Sequence, residues 1–158
     1  MTTKIKQLLQ DASALALSEE YQEALILYDK ILKIDPKNLD ALTDKATTLQ
    51  RIGKNSEALD YYQKVLQVNP KNIDALIGKG ASLHAQKKYS DAIKSYNIAL
   101  KINPKFPIAL AYKGLSLGEQ GKINDALNHF KKALAIDKNY DLALISKKKA
   151  IELLESKK

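Results

Sequence analysis

Residues 39–72 read LDALTDKATTLQRIGKNSEALDYYQKVLQVNPKN. Leu42, Ala46 and Leu49 fall at steps of three and four. Beyond Gly53, Ala58, Tyr62, Val65 and Leu66 do the same. That spacing predicts two amphipathic helices joined by a tight turn at the glycine. The stretch closes on Asn69-Pro70, and proline disfavours helical geometry in the residue ahead of it, so the second helix stops there.

The pattern repeats on both sides. Pro36, Pro70 and Pro104 stand 34 residues apart, and four registers keep step with them: 5–38, 39–72, 73–106 and 107–140, the last with Lys138 in place of proline. The eighth column holds Ala12, Ala46, Gly80 and Gly114, and the twentieth holds Ala24, Ala58, Ala92 and Ala126. The twenty-fourth is aromatic throughout, as Tyr28, Tyr62, Tyr96 and Phe130. Leucine fills columns four (Leu8, Leu42, Leu76, Leu110), eleven (Leu15, Leu49, Leu83, Leu117) and twenty-eight (Leu32, Leu66, Leu100, Leu134). Ile34, Val68, Ile102 and Ile136 occupy the thirtieth. Small residues let paired helices approach closely, and the aromatic fills the gap beside them. A period of this length marks stacked helical hairpins, none able to bury its apolar face alone.

Asn38 and Asn72 are expected as N-caps of the next first helix, Pro107 in a first helical turn, and Ser56, Ser90 and Asn124 as caps of second helices. Gly53 and Gly121 are expected at the turns within their registers. Lys45, Lys79 and Lys113 share column seven, and are expected to lay their stems on the core and lift the amine to water. Residues 141–156 predict a fifth first helix without a second, with Leu144 and Ile151 in register and Lys148 in the small-residue column. A solvating terminal cap suits that pattern.

These columns resemble the tetratricopeptide repeat family over residues 5–155, with leucine where the family's column four often has tryptophan. The resemblance implies an all-α, right-handed α-solenoid, a single domain over residues 1–158, with a capping helix at 141–156. It also implies a concave face lined by columns 2, 5, 6, 9, 12 and 13 of the first helices. Carried over residue by residue, the candidate groove holds Asp40, Asp44, Thr47, Asp74, Ile77, Ala81, His84, Ile108, Ala111, Tyr112 and Leu115. Leu9, Ser13, Ala16 and Leu17 fill the same columns of the first register. Asp40 and Asp44 lie one helical turn apart and share a face.

The early groove is therefore acidic and the later groove apolar. The partner expected is a protein segment or amphipathic helix with apolar anchors and a basic end. Two plainer accounts stand beside this one. Asp40 and Asp74 lie in first turns, where the helix dipole favours them, and Ile108 and Leu115 could be covered by neighbouring helices. Members of the family that clamp the acidic C-terminal tail of heat-shock chaperones use lysine, arginine and asparagine in columns that here read Leu9, Ser13, Asp44, Asp74 and Gly78. Carboxylates repel such a tail, which argues against that partner.

The net charge of +8 raises nucleic acid as a partner. The lysines are scattered, however, with one arginine, Arg51, and no aromatic stacking residues among them, so a solvated surface is the better reading. There is no cysteine, which removes disulfides, thiolate metal sites and cysteine catalysis. His84 and His129 fall in different helices and columns, and neither a metal-ligand spacing nor a catalytic pair follows from them. No cofactor and no enzymatic activity are expected. No apolar run approaches the roughly 20 residues of a membrane span, and residues 1–17 read as a helix and not a signal peptide. The expectation is a cytoplasmic interaction scaffold, with a homo-oligomerising module as the alternative.

Overall fold

The computed structural model describes residues 3–156. Helices run α1 Thr3–Leu17, α2 Tyr21–Ile34, α3 Leu39–Arg51, α4 Asn55–Val68, α5 Ile73–Ala85, α6 Tyr89–Ile102, α7 Pro107–Glu119, α8 Ile123–Ile136 and α9 Asp141–Glu155. Among the described residues there is no strand, and no helix is long and apolar enough to cross a membrane. Two compact units, Met1–Ser82 and Leu83–Lys158, divide the chain within α5.

In the first unit α1 packs on α2, α2 on α3 and α3 on α4. Ala12, Ala24, Ala46 and Ala58 are fully buried beside Tyr28, Ile31, Leu49 and Tyr62. In the second unit α6 packs on α7, α7 on α8 and α8 on α9. Its core comprises Leu110, Ala111, Ala133 and Ala143, with a second cluster of Leu117, Ala126, Phe130 and Ala150. Column eight does what its size predicts at Gly114, where a Cβ would lie 2.6 Å from Cε1 of Phe130. Gly78, in groove column six, is held as tightly, since a Cβ there would overlap Cζ of Tyr62. Column thirty behaves differently: Ile34, Val68, Ile102 and Ile136 are all exposed.

The turns follow one recipe. Gly53 and Gly121 take left-handed backbone (φ 78° and 77°), and Glu19 and Lys87 take it at the same register position (φ 64° and 61°). Each such residue donates its N–H to a carbonyl three back, as in Gly53 to Gln50 at 3.0 Å. The next residue donates to the carbonyl five back, as in Lys54 to Leu49 at 2.9 Å. This pair of bonds is the Schellman closure of a helix. The carbonyl of that next residue then accepts the first bond of the following helix, as in Ala58 N–H to Lys54 at 3.0 Å.

The second helices consequently start at Asn55, Tyr89 and Ile123 with Lys54, Lys88 and Lys122 at the cap position and no side-chain cap bond. Ser56, Ser90 and Asn124 lie inside the first turn and are not the caps expected. The turn itself already fixes the helix start. Between hairpins, Asp35, Asn69, Asn103 and Asp137 each accept the N–H two residues on through their side chains, an Asx turn matched to the following proline or lysine. Asn38 and Asn72 do cap: their Oδ1 atoms accept from the N–H of Ala41 at 3.1 Å and of Ala75 at 2.8 Å. Pro107 opens α7.

Lys45 departs from expectation. It is 7% exposed, and its ammonium donates to Asp29 Oδ1 and, at 2.7 Å, to the Tyr61 hydroxyl, lying 4.4 Å from the Tyr61 ring centroid. A carboxylate and a phenol at hand satisfy the charge inside the fold, so the amine does not rise to water.

Candidate functional site

In the first unit, α1 and α3 present Ser13, Ala16, Leu17, Asp44, Thr47 and Arg51 to a cavity of about 200 Å³ whose floor is Tyr28. A second cavity, of about 480 Å³, shares Ser13, Leu17 and Asp44 and adds Leu9 and Asp40. Leu17 is 78% exposed, a large apolar side chain standing at the wall of both. The register explains the grouping, since these residues fall on the same face of two neighbouring first helices.

Asp44 is the chemically distinctive member. It is half-buried, and burial first, then the neighbouring Asp40 carboxylate, push its pKa above the ordinary aspartate value. A bond from the Ser13 hydroxyl works the other way, but at 3.5 Å it is long. The same carboxylate helps raise the pKa of Tyr28, after burial. Thr47 donates to the Thr43 carbonyl at 3.0 Å and sits 3.2 Å from the Tyr62 hydroxyl, which donates to Gln50 Oε1 at 3.0 Å. Asp74 is exposed on α5, with Ile77 and Ala81 half-buried on the same helix. Asp40, Asp44 and Thr47 are thus brought to the cavities, and Asp74 is not among their lining residues.

In the second unit, His84 Nδ1 lies 2.8 Å from Ser116 Oγ, and its ring meets Tyr89 edge-on at 5.2 Å. Burial lowers the His84 pKa, opposed by the Glu119 carboxylate. Tyr112 stacks on Tyr96 with centroids 6.0 Å apart and planes 21° from parallel, so its ring supports packing as well as presenting a surface. Ile108 is exposed. Leu115 lines a cavity of about 150 Å³ with Gly118, Glu119, Phe130, Lys149 and Leu153. Ala111 is 0% exposed, packed with Leu110, Ala133 and Ala143, and has no surface to offer a ligand.

The two smaller cavities are the same place in the repeat. Ser13, Ala16, Leu17, Tyr28, Asp44, Thr47 and Arg51 correspond by register to Leu115, Gly118, Glu119, Phe130, Ser146, Lys149 and Leu153. The groove columns of the first helices locate most of these residues. The aromatic floors do not announce themselves, because a column read as core also reaches the cavity from beneath. The contribution of α9 is visible only once its helix is aligned on the same columns.

The chain matches the family model described as anaphase-promoting complex, cyclosome, subunit 3 over residues 18–99, and a tetratricopeptide repeat model over residues 80–121. Among solved structures it is similar to MamA, residues 41 to the end, from Desulfovibrio magneticus RS-1. That match has 20% identity and a TM-score of 0.79, covering 99% of this chain and 98% of the other. A tetratricopeptide repeat protein from Parabacteroides merdae ATCC 43184 matches at 20% identity and TM-score 0.86, covering 96% and 59%. The first such domain of human RPAP3 matches at 24% identity and TM-score 0.73, covering 77% and 96%. At these identities the likeness is one of fold, an all-α helical solenoid. No curated protein matches the chain.

Proposed function

Because the chain belongs to the tetratricopeptide repeat family, whose members are generally protein-interaction scaffolds, we propose that it binds a segment of a partner protein along its first helices and performs no chemistry of its own. In the first unit the segment brings a lysine or arginine to Asp40 and Asp44 and an apolar side chain to Leu17 and Leu9. In the second unit Ile108, Tyr112, Leu115 and Leu153 take an apolar anchor. Ile77 and Ala81 add contacts within the first unit and His84 within the second, and α9 acts as a solvating cap. A cytoplasmic setting belongs to the same reading.

One observation carries this proposal. Asp44 faces the cavity between α1 and α3 with a carboxyl whose ionisation burial and Asp40 penalise, and among the described residues no lysine or arginine forms an ion pair with it. A ligand ammonium or guanidinium relieves that penalty, whereas a purely structural position gains nothing from it.

The test is capture of partners from source lysate by the wild-type chain, by Asp44→Lys and by Asp44→Asn, followed by calorimetry on the captured segment. Asp44→Lys is expected to weaken binding at least tenfold, about 1.4 kcal/mol. Asp44→Asn is expected to weaken it while leaving thermal stability equal or higher. Unchanged affinity in both variants defeats the proposal. Ile108→Lys, at an exposed position outside the stack of Tyr112 on Tyr96, probes the second unit and is expected to weaken binding there.

A second reading, self-association, draws on α9, where Ile145 is 69% exposed and Leu144 and Leu153 are also exposed. Light scattering over a concentration series at two ionic strengths separates the readings: a strict monomer discards it, and a dimer lost in Ile145→Lys supports it.

A further inference from the structure

Column seven offers an internal control on what a lysine needs at that depth. At Lys45 the ammonium is matched by Asp29 and by the Tyr61 hydroxyl. Two periods on, the same register positions around Lys113 hold Asn97 in place of Asp29 and His129 in place of Tyr61. Lys113 is half-buried on α7, which packs against α8, and the charged groups acting on it are Lys132 and Asp125 of α8. His129 and Lys132 lie three residues apart and share a face of that helix.

The tautomer of His129 follows from its bond. Nδ1 lies 2.9 Å from the Asp125 backbone carbonyl, which can only accept, so Nδ1 carries the hydrogen and Nε2 is the atom that gains a proton. The cluster thus sets two ammonium groups and a protonatable ring against one exposed carboxylate, Asp125.

We propose that Lys113, His129 and Lys132 form an oxyanion-binding site, which takes a phosphate-like dianion or a carboxylate in the role that Asp29 plays at Lys45. None of the three lines the cavities described above. The electrostatics agree. Burial first, then Lys132, lowers the pKa of Lys113, while the pKa of His129 is lowered by burial and by both lysines despite the bond to Asp125. An anion at the cluster relieves these penalties and draws a proton onto Nε2.

The chain has two histidines, so His84 serves as the control in the same molecule. NMR titration of both rings in the full chain compares chloride, sulfate and a hexaglutamate peptide at constant ionic strength. Sulfate stays fully ionised across the range, which keeps its own titration out of the reading. His129 is expected to titrate at higher pH in sulfate, by about one unit when sulfate reaches ten times its Kd for the protonated form, with His84 unmoved. In Lys113→Met the ring starts at higher pH, because a like charge is gone, and the response to sulfate falls. Lys132→Met, at an exposed position, gives the same answer should Lys113→Met fail to fold. A response to sulfate alone assigns the site to compact tetrahedral dianions such as a phosphoryl group, and a response to hexaglutamate shows that carboxylates suffice. His129 titrating alike in all three solutions, or His84 moving as far as His129, overturns the proposal.

Discussion

At the scale of the residue, the contact between Gly78 and Tyr62 sets two ordinary effects against each other. Alanine is the better helix former by about 1 kcal/mol, which alone makes Gly78→Ala stabilising. The Cβ it adds would fall 2.2 Å from Cζ of Tyr62. That ring is 2% exposed, and its hydroxyl is held by Gln50, so it cannot step aside freely. Overpacking of this kind costs about 1–3 kcal/mol. The expected outcome is net destabilisation, read as a lower urea midpoint with an unchanged slope; a midpoint at or above wild type shows that the ring yields. Lys45 teaches the complementary lesson. Its column and amphiphilic side chain are plain in the sequence, yet its partners Asp29 and Tyr61 come from α2 and α4, which only the packing brings together. Lys113 has the same sequence signature and lacks that carboxylate.

At the scale of the element, the hairpin turn explains both what the sequence makes legible and what it hides. Glycine at Gly53 and Gly121 marks the left-handed position openly. Glu19 and Lys87 adopt the same backbone without that mark, because the Schellman bonds and the helices on either side override the preference of a single residue. The left-handed conformation costs a residue with a Cβ roughly 1–2 kcal/mol, and glycine returns part of that by gaining freedom in the unfolded chain. Glu19→Gly and Lys87→Gly are each expected to stabilise by about 0.5–1 kcal/mol, measured by chemical denaturation; a loss of stability in both shows that these turns carry no strain. The helix pairs themselves were readable because apolar spacing and proline placement act within a few residues. The second-helix caps were not, since the turn hands its own carbonyl to the next helix and leaves Ser56, Ser90 and Asn124 without that task. Ala111 illustrates the same limit at the candidate groove. Its column faces the groove in the family, but Leu110, Ala133 and Ala143 close over it, and periodicity cannot tell which neighbour covers a small side chain.

At the scale of the whole molecule, the titrating groups give stability a direction with pH. Burial lowers the pKa of both His84 and His129 from the ordinary value of 6.5, so each ring is easier to protonate in the unfolded chain than in the folded one. The stability this contributes is complete above pH 6.5 and is lost as pH falls through the depressed folded values. Asp44 acts oppositely, since its raised pKa favours the folded state on acidification. Asp44 is one carboxyl set against two buried rings, so the rings are expected to decide the sign between pH 7.5 and pH 5.5. Tyr28, Tyr96 and Tyr140 have raised pKa values, chiefly through burial, and withdraw stability only as pH rises through 10 and beyond. The thermal midpoint in a non-coordinating chloride buffer is therefore expected to fall from pH 7.5 to pH 5.5. His129→Gln is expected to flatten part of that fall, because a neutral amide has no proton to gain. Circular dichroism melts across the interval provide the check, and a midpoint that rises on acidification contradicts the burial of both imidazoles. Repeating the melts in sulfate joins this prediction to the oxyanion site: an anion that binds protonated His129 in the folded state restores midpoint at pH 5.5 more than at pH 7.5, and Lys132→Met removes that difference.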